Sequence, residues 1–171
     1  MTKFEQEINK YLKNKSNINE IKFYDLPKTS GIYVVALADN KKIEIAETTS
    51  AIKEYTDSKG KKHNLIYLKS ELENKLKLVD KRILYIGKAE AKDGGLFNRI
   101  SQLIKYSNGD CNNHRGGRAL WQIKDWENVL ILYWYETENS EKLEKQLLNL
   151  HSKEHLNKKK GLSYPFANWR L

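Results

Sequence analysis

The sequence predicts an α/β fold built around a small sheet of few strands. Three observations carry that reading. Gly31–Leu37 (GIYVVAL), Ile83–Ile86 and Val129–Tyr135 (VLILYWY) are apolar runs rich in β-branched and aromatic residues, which suit buried strands. Between and after them, apolar residues recur at helical spacing, as in Leu96, Ile100, Leu103 and Ile104. The chain is 171 residues long with no linker-like stretch, which predicts a single domain over 1–171.

In chain order, residues 2–15 are predicted to be helical. Phe4, Ile8, Tyr11 and Leu12 form one stripe, and Thr2 with Glu5 forms a capping box. A polar link and Pro27 lead to the first strand. Residues 38–81 are read as an insertion, a hairpin followed by a helix. Ile43–Ile45, Ile52–Tyr55 and Leu65–Leu68 alternate in part, with turn chemistry at Asp57-Ser58-Lys59-Gly60. Ser70 is the expected cap of the helix through Leu76 and Leu78. Strand Ile83–Ile86 is expected to end in a Gly-rich loop carrying Lys88, followed by a helix over about 95–106. Residues 107–118 read as an exposed polar loop. After the apolar strand at 129–135, Ser140 is the expected cap of a helix carrying Leu143, Leu147 and Leu150. Lys158-Lys159-Lys160 precedes the tail Tyr164–Arg170.

Composition narrows the function class. Hydrophobic residues make up 39%, enough for a core, while the net charge is +9. Such an excess suits a polyanionic partner, or simply a basic soluble protein. The single cysteine, Cys111, excludes an intramolecular disulfide and fits a reducing, cytoplasmic setting. No apolar run approaches the ~20 residues of a membrane span, so no membrane partner is expected.

Six polar residues stand against the ends of the predicted core elements: Tyr33, Tyr85, Lys88, Arg99, Glu144 and Asn168. Each type has a use in phosphodiester hydrolysis. A guanidinium can grip a phosphate oxygen in a bidentate way. One carboxylate suffices to hold Mg²⁺ when phosphate and water supply the other ligands. A tyrosine, with an ordinary pKa near ~10, is a poor base unless a cation lowers it, and Lys88 lies three residues after Tyr85.

At these positions the sequence resembles the GIY-YIG nucleases. Gly31-Ile32-Tyr33 and Tyr85-Ile86-Gly87 match the two name-giving motifs, Lys88 and Arg99 match the following K…R segment, Leu143-Glu144-Lys145-Gln146-Leu147-Leu148 resembles the helix with the metal-binding glutamate, and Pro165-Phe166-Ala167-Asn168 resembles the closing P-x-x-N. The resemblance covers about 29–37 and 82–168, leaving out the N-terminal helix and the insertion. It implies an α+β fold with a small central, mostly antiparallel sheet flanked by helices. It also implies a metal-dependent DNA endonuclease using Mg²⁺, with Mn²⁺ as a possible substitute. Tyr33 would position or deprotonate water, Tyr85 and Lys88 would tune or orient it, Arg99 would hold the scissile phosphate, Glu144 the metal, and Asn168 would brace the site. Two departures stand out. The tripeptides, close together in many members, are about fifty residues apart here, and the slot one turn after Arg99, a histidine in some relatives, is Leu103.

Blander readings stay open. The tyrosines suit any strand, Lys88 and Arg99 suit a solvated surface, and Glu144 suits i,i+4 helix pairing. Glu141 is the alternative metal ligand, because helix registers shift by a residue or more. Asn168 suits a turn after Pro165. His114-Arg115-Gly116-Gly117-Arg118 reads either as a flexible basic loop or as a nucleic-acid contact through His114, Arg115 and Arg118, with Lys159 adding backbone affinity. Cys111-x-x-His114 and His151-x-x-x-His155 have zinc-like spacings, on the condition that they meet in space. With no appended DNA-binding domain, a restriction-like enzyme is the first expectation. A structure-specific or repair nuclease and a non-catalytic nucleic-acid-binding module are the alternatives. Cutting both strands would call for two copies of the single predicted site, hence a homodimer.

Overall fold

The computed structural model describes residues 1–110, 114–156 and 161–169. Its centre is a four-stranded antiparallel sheet in the order β1-β6-β2-β5, formed by β1 (Asn14–Asn17), β2 (Gly31–Leu37), β5 (Ile83–Ala89) and β6 (Leu130–Glu136). The two motif strands, β2 and β5, are hydrogen-bonded neighbours, and β5 is the sheet edge. The fold is therefore α+β, with the apolar run at 130–136 inside the sheet, as its composition suggests.

Alternation of side chains divides the core between the two faces of the sheet. On one face, Phe4 and Ile8 of α1 (Lys3–Ile8) and Leu143, Leu147 and Leu148 of α5 (Ser140–Glu154) pack on Ile32, Val34 and Ile86. On the other face, Leu96, Ile100 and Leu103 of α3 (Gly95–Ser107) pack with Tyr33, Val35 and Tyr85. Trp121 and Trp126 extend that second core, Trp121 from a 3-10 helix at Arg115–Gln122 and Trp126 from α4 (Trp126–Val129).

The N-terminal helix is shorter than its apolar stripe suggests. The capping box forms, with the Thr2 hydroxyl accepting from the Glu5 N–H and the Glu5 carboxylate accepting from the Thr2 N–H. The helix nonetheless ends at Ile8, because Asn14–Asn17 pairs with Ile131–Trp134 instead. Tyr11 and Leu12 still reach the same core from the intervening turn. Strand pairing has overridden local helical periodicity.

The insertion departs further from expectation. Its strands are β3 (Glu54–Thr56) and β4 (Lys62–Asn64), and Ile45 makes only an isolated bridge to Ile123. The turn between them follows the sequence: Asp57 Oδ1 accepts from the Lys59 and Lys61 N–H groups, and Gly60 adopts φ +79°. Neither expected serine cap forms. α2 (Lys69–Leu76) follows an extended Leu68, and Ser140 is the buried first residue of α5, after Asn139. No helix among the described residues is long and apolar enough to cross a membrane.

His151 ties the end of α5 to the tail. Its ring lies edge-on to Phe4 at 4.9 Å, Nδ1 donates to the Ser163 carbonyl at 2.7 Å, and Nε2 has no hydrogen-bond partner among the described residues. Burial therefore holds the imidazole neutral and pushes its pKa down to about 4. Below about 6.5 the unfolded chain takes up a proton that the folded chain refuses, so stability falls as pH drops from about 6.5 to 4 and is flat with respect to this group above that window. The expected slope is about 1.4 kcal/mol per pH unit for one such histidine. Urea midpoints between pH 7.5 and 5 should fall, and His151→Gln should make the fall shallower. An unchanged slope in that variant would place the acid sensitivity elsewhere.

Candidate active site

Tyr33 and Tyr85 share a face because β2 and β5 pair in a fixed register, Tyr33 opposite Gly87 and Val35 opposite Tyr85. A Cβ on Gly87 would lie 2.3 Å from Tyr33 Cζ and 2.5 Å from its hydroxyl. Only glycine lets the phenol ring lie across the neighbouring strand. Beyond Gly87 the Tyr33 hydroxyl meets His114 Nε2 at 2.5 Å. The rings of Tyr33, Tyr85 and His114 form a near-equilateral triangle, with centroids 5.8–6.0 Å apart.

His114 overturns its sequence reading. It is fully buried and is not part of an exposed nucleic-acid-contacting loop. The stretch it opens is the 3-10 helix at Arg115–Gln122, and its ring fills the space beside Tyr33. Burial, reinforced by the Arg99 charge, pushes its pKa down to about 3, so it is neutral at neutral pH. Of the residues with zinc-like spacing, His114 meets Tyr33 through Nε2 and His151 the Ser163 carbonyl through Nδ1, while Cys111 lies outside the described residues. Lys159 lies outside them too.

A cleft of about 500 Å³ opens at the β5 edge, between α3 and α5. Tyr33, Tyr85, Lys88, Arg99 and Glu144 all line it, together with Gln102. Asn168 approaches from behind the strand. Its side chain accepts from the Ile86 N–H at 2.9 Å and donates to the Ile86 carbonyl at 2.8 Å, holding the main chain between Tyr85 and Gly87. That is more than a turn residue does.

Electrostatics assigns the charges differently from the sequence. Lys88 belongs to β5 itself, not to a following loop, and alternation puts it on the face opposite the phenols. Its ammonium is held by Glu90 at 3.0 Å and Glu141 at 3.4 Å, so it does not tune the tyrosines. Arg99 is the cation that acts on both phenols, drawing their pKa values down against burial, which dominates. The balance leaves Tyr85 pushed up to about 12 and Tyr33 well above the ordinary phenol range. Arg99 is steadied by Gln102, whose side-chain oxygen accepts at 2.9 Å. The i,i+3 spacing of Arg99 and Gln102 was a readable helical signal. The His114–Tyr33 contact had none, since it joins distant segments.

Glu90, Asp93 and Glu144 all line the cleft, Glu90 is bound by Lys88 and Lys92, and Glu144 is the one whose charge acts on both phenols. It is half-buried, with no ion pair or hydrogen bond among the described residues, whereas Glu141 is exposed and bound by Lys88 and Lys145. Burial pushes the Glu144 carboxyl up to about 7, and Lys88, Arg99 and Lys145 draw it back. No cluster of three or more His, Cys, Asp or Glu side chains that could cage a metal occurs among the described residues. One uncompensated carboxylate beside an arginine fits a hard cation that takes its remaining ligands from phosphate and water.

The placement of Tyr33 can be checked directly. Gly87→Ala should displace the phenol ring and cost about 1–3 kcal/mol in denaturant unfolding, as overpacking does. Wild-type stability in that variant would contradict the crossing. Against known proteins, the chain matches no family model, no curated protein and no solved structure.

Proposed function

We propose that the protein is a metal-dependent DNA endonuclease that hydrolyses phosphodiester bonds, with a restriction-like role in the cytoplasm. The resemblance of Gly31-Ile32-Tyr33 and Tyr85-Ile86-Gly87 to the GIY-YIG nucleases suggests the reading. The observation that carries it is the convergence of Tyr33, Tyr85, Lys88, Arg99 and Glu144 on one cleft.

The chemistry follows from the contacts. With its proton on Nδ1, neutral His114 would accept from the Tyr33 hydroxyl through Nε2, which frees the phenol's lone pairs to accept from a water. As that water attacks phosphorus, its proton passes to Tyr33 Oη while the phenol's own proton passes to His114 Nε2. No free phenolate is needed, which suits a tyrosine whose pKa is raised. Arg99 neutralises charge building on a non-bridging oxygen. Glu144 would hold Mg²⁺ or Mn²⁺, and when bound the ion supplies charge stabilisation at the leaving oxygen. Lys88, paired with Glu90 and Glu141, fixes the acidic rim of the cleft and takes no proton.

Nicking of supercoiled plasmid with Mg²⁺ tests this. Glu144→Ala and Arg99→Ala should each lose at least about a hundredfold in rate. Tyr33→Phe should lose a similar factor while keeping its fold. Normal cutting by the Glu144 and Arg99 variants would overturn the assignments, and no cutting by the parent would favour a nucleic-acid-binding module. Cuts confined to branched DNA would favour a structure-specific or repair nuclease. Double-strand cutting at discrete sites, with two chains per cut, would fit a restriction-like dimer.

A further inference from the structure

A second, larger groove of about 930 Å³ runs from the catalytic cleft along the insertion. Tyr85 and Glu144 line both spaces, so the two are continuous. Its outer walls are the β3–β4 hairpin on one side and the 3-10 helix that follows His114 on the other, with Tyr55, His63, Tyr67, Arg115 and Arg118 facing it.

Both arginines stack on tyrosine rings. Arg115 lies 4.0 Å over the Tyr55 ring, and Tyr55 in turn stacks on His63 at 4.7 Å and 14°. Arg118 lies 4.5 Å over Tyr67, which stacks on Trp169 at 5.1 Å and 16°. Arg118 also donates from Nε to the Leu65 carbonyl at 3.1 Å and from Nη1 to the Arg115 carbonyl at 3.2 Å. Among the described residues neither guanidinium forms an ion pair, and Glu144, at the end shared with the first cleft, is the one carboxylate lining the groove. Stacking removes the rotamer entropy that a phosphate contact would otherwise cost an arginine.

We propose that this groove carries the DNA strand flanking the scissile phosphate, with Arg115 and Arg118 as pre-set anchors for its backbone phosphates and the insertion's Tyr55 and Tyr67 as the platforms that hold them. The proposal rests on the nuclease reading above and names the substrate-tracking surface of that same site. It also assigns a role to the insertion, which the motif residues leave without one. Stacked on tyrosines and aimed along a groove, the guanidiniums grip backbone and do not read base edges, so their loss should weaken all sequences alike.

Fluorescence anisotropy of a labelled 20-base-pair duplex across KCl concentrations, in EDTA so that no cutting occurs, tests it, with plasmid nicking run in parallel. Arg115→Ala and Arg118→Ala should each weaken binding roughly tenfold at low salt and reduce the salt slope by about one. Tyr55→Ala, which changes no charge, should weaken binding too, and should add little when combined with Arg115→Ala. Lys10→Ala, on the opposite face of the sheet, removes the same charge and should leave the slope unchanged. A parent that nicks DNA while both arginine variants keep its salt slope would overturn the groove and leave the nuclease reading standing. An equal loss in Lys10→Ala would overturn it in favour of diffuse surface charge. A parent that neither binds nor nicks DNA would remove the nuclease reading, and this proposal with it.

Discussion

The candidate site depends on one close approach, that of the Tyr33 ring crossing β5 over Gly87. Side-chain alternation along β2 and β5 already sends both phenols to one face. The missing Cβ at Gly87 then lets Tyr33 lie flat enough to meet His114 on the far side of the strand. Gly31 answers a second crowding, since a Cβ there would lie 2.3 Å from the Tyr135 carbonyl and 2.7 Å from Leu96. The glycines of the two motifs are thus packing requirements of the aromatic residues beside them and of the sheet. A side chain at Gly87 would move the Tyr33 phenol and open the triangle it forms with Tyr85 and His114, whereas one at Gly31 would push on β6 and α3.

Burial then decides the charge states. Two phenols and an imidazole in one dry corner all settle in neutral forms, the phenols pushed up and the imidazole pushed down. Arg99 works against burial for the phenols and with it for His114. A neutral donor–acceptor chain results, in which any proton passed along it would rest on His114 as a transient imidazolium that burial and Arg99 both disfavour. Glu144 stands apart, a carboxylate raised by burial and only partly drawn back by surrounding cations. The phenol–imidazole corner is dry and neutral, while the rim of the cleft keeps its charges.

Much of this was legible in the sequence, for physical reasons. β2, α3 and α5 announce themselves by strong apolar periodicity, and the bounds of β2 and α3 and the start of α5 agree with expectation to within about two residues. Tyr33, Tyr85, Arg99 and Glu144 stand out as polar residues embedded in those same patterns. What escaped was non-local. Asn14–Asn17 is polar and becomes a strand only because β6 offers it an edge. His114 sits in a polar, Gly-rich stretch that reads as solvent-exposed, and becomes core only because Tyr33 arrives from eighty-one residues away. Lys88 reads as the tyrosines' neighbour in sequence, yet one step along a strand turns it to the other face. The insertion's weak alternation left its strand bounds open, because two short strands pair with little beyond each other.

The insertion is wired to β5 all the same. Lys75 of α2 is fully buried, its Nζ donating to the Asn168 carbonyl and lying 4.0 Å over the Trp169 ring. Asn168 in turn clamps both main-chain groups of Ile86, between Tyr85 and Gly87. An unpaired lysine is costly to bury, and desolvation pushes its pKa down to about 7. A structure that bears this cost gains a direct link from α2 through the tail to the strand that positions both phenols. Arg118, Tyr67, Trp169 and Lys75 form a continuous stack from the groove to that link. The segment that separates the two motifs in sequence therefore supports the strand that joins them in space, and the same chain of contacts links the groove wall to the candidate cleft.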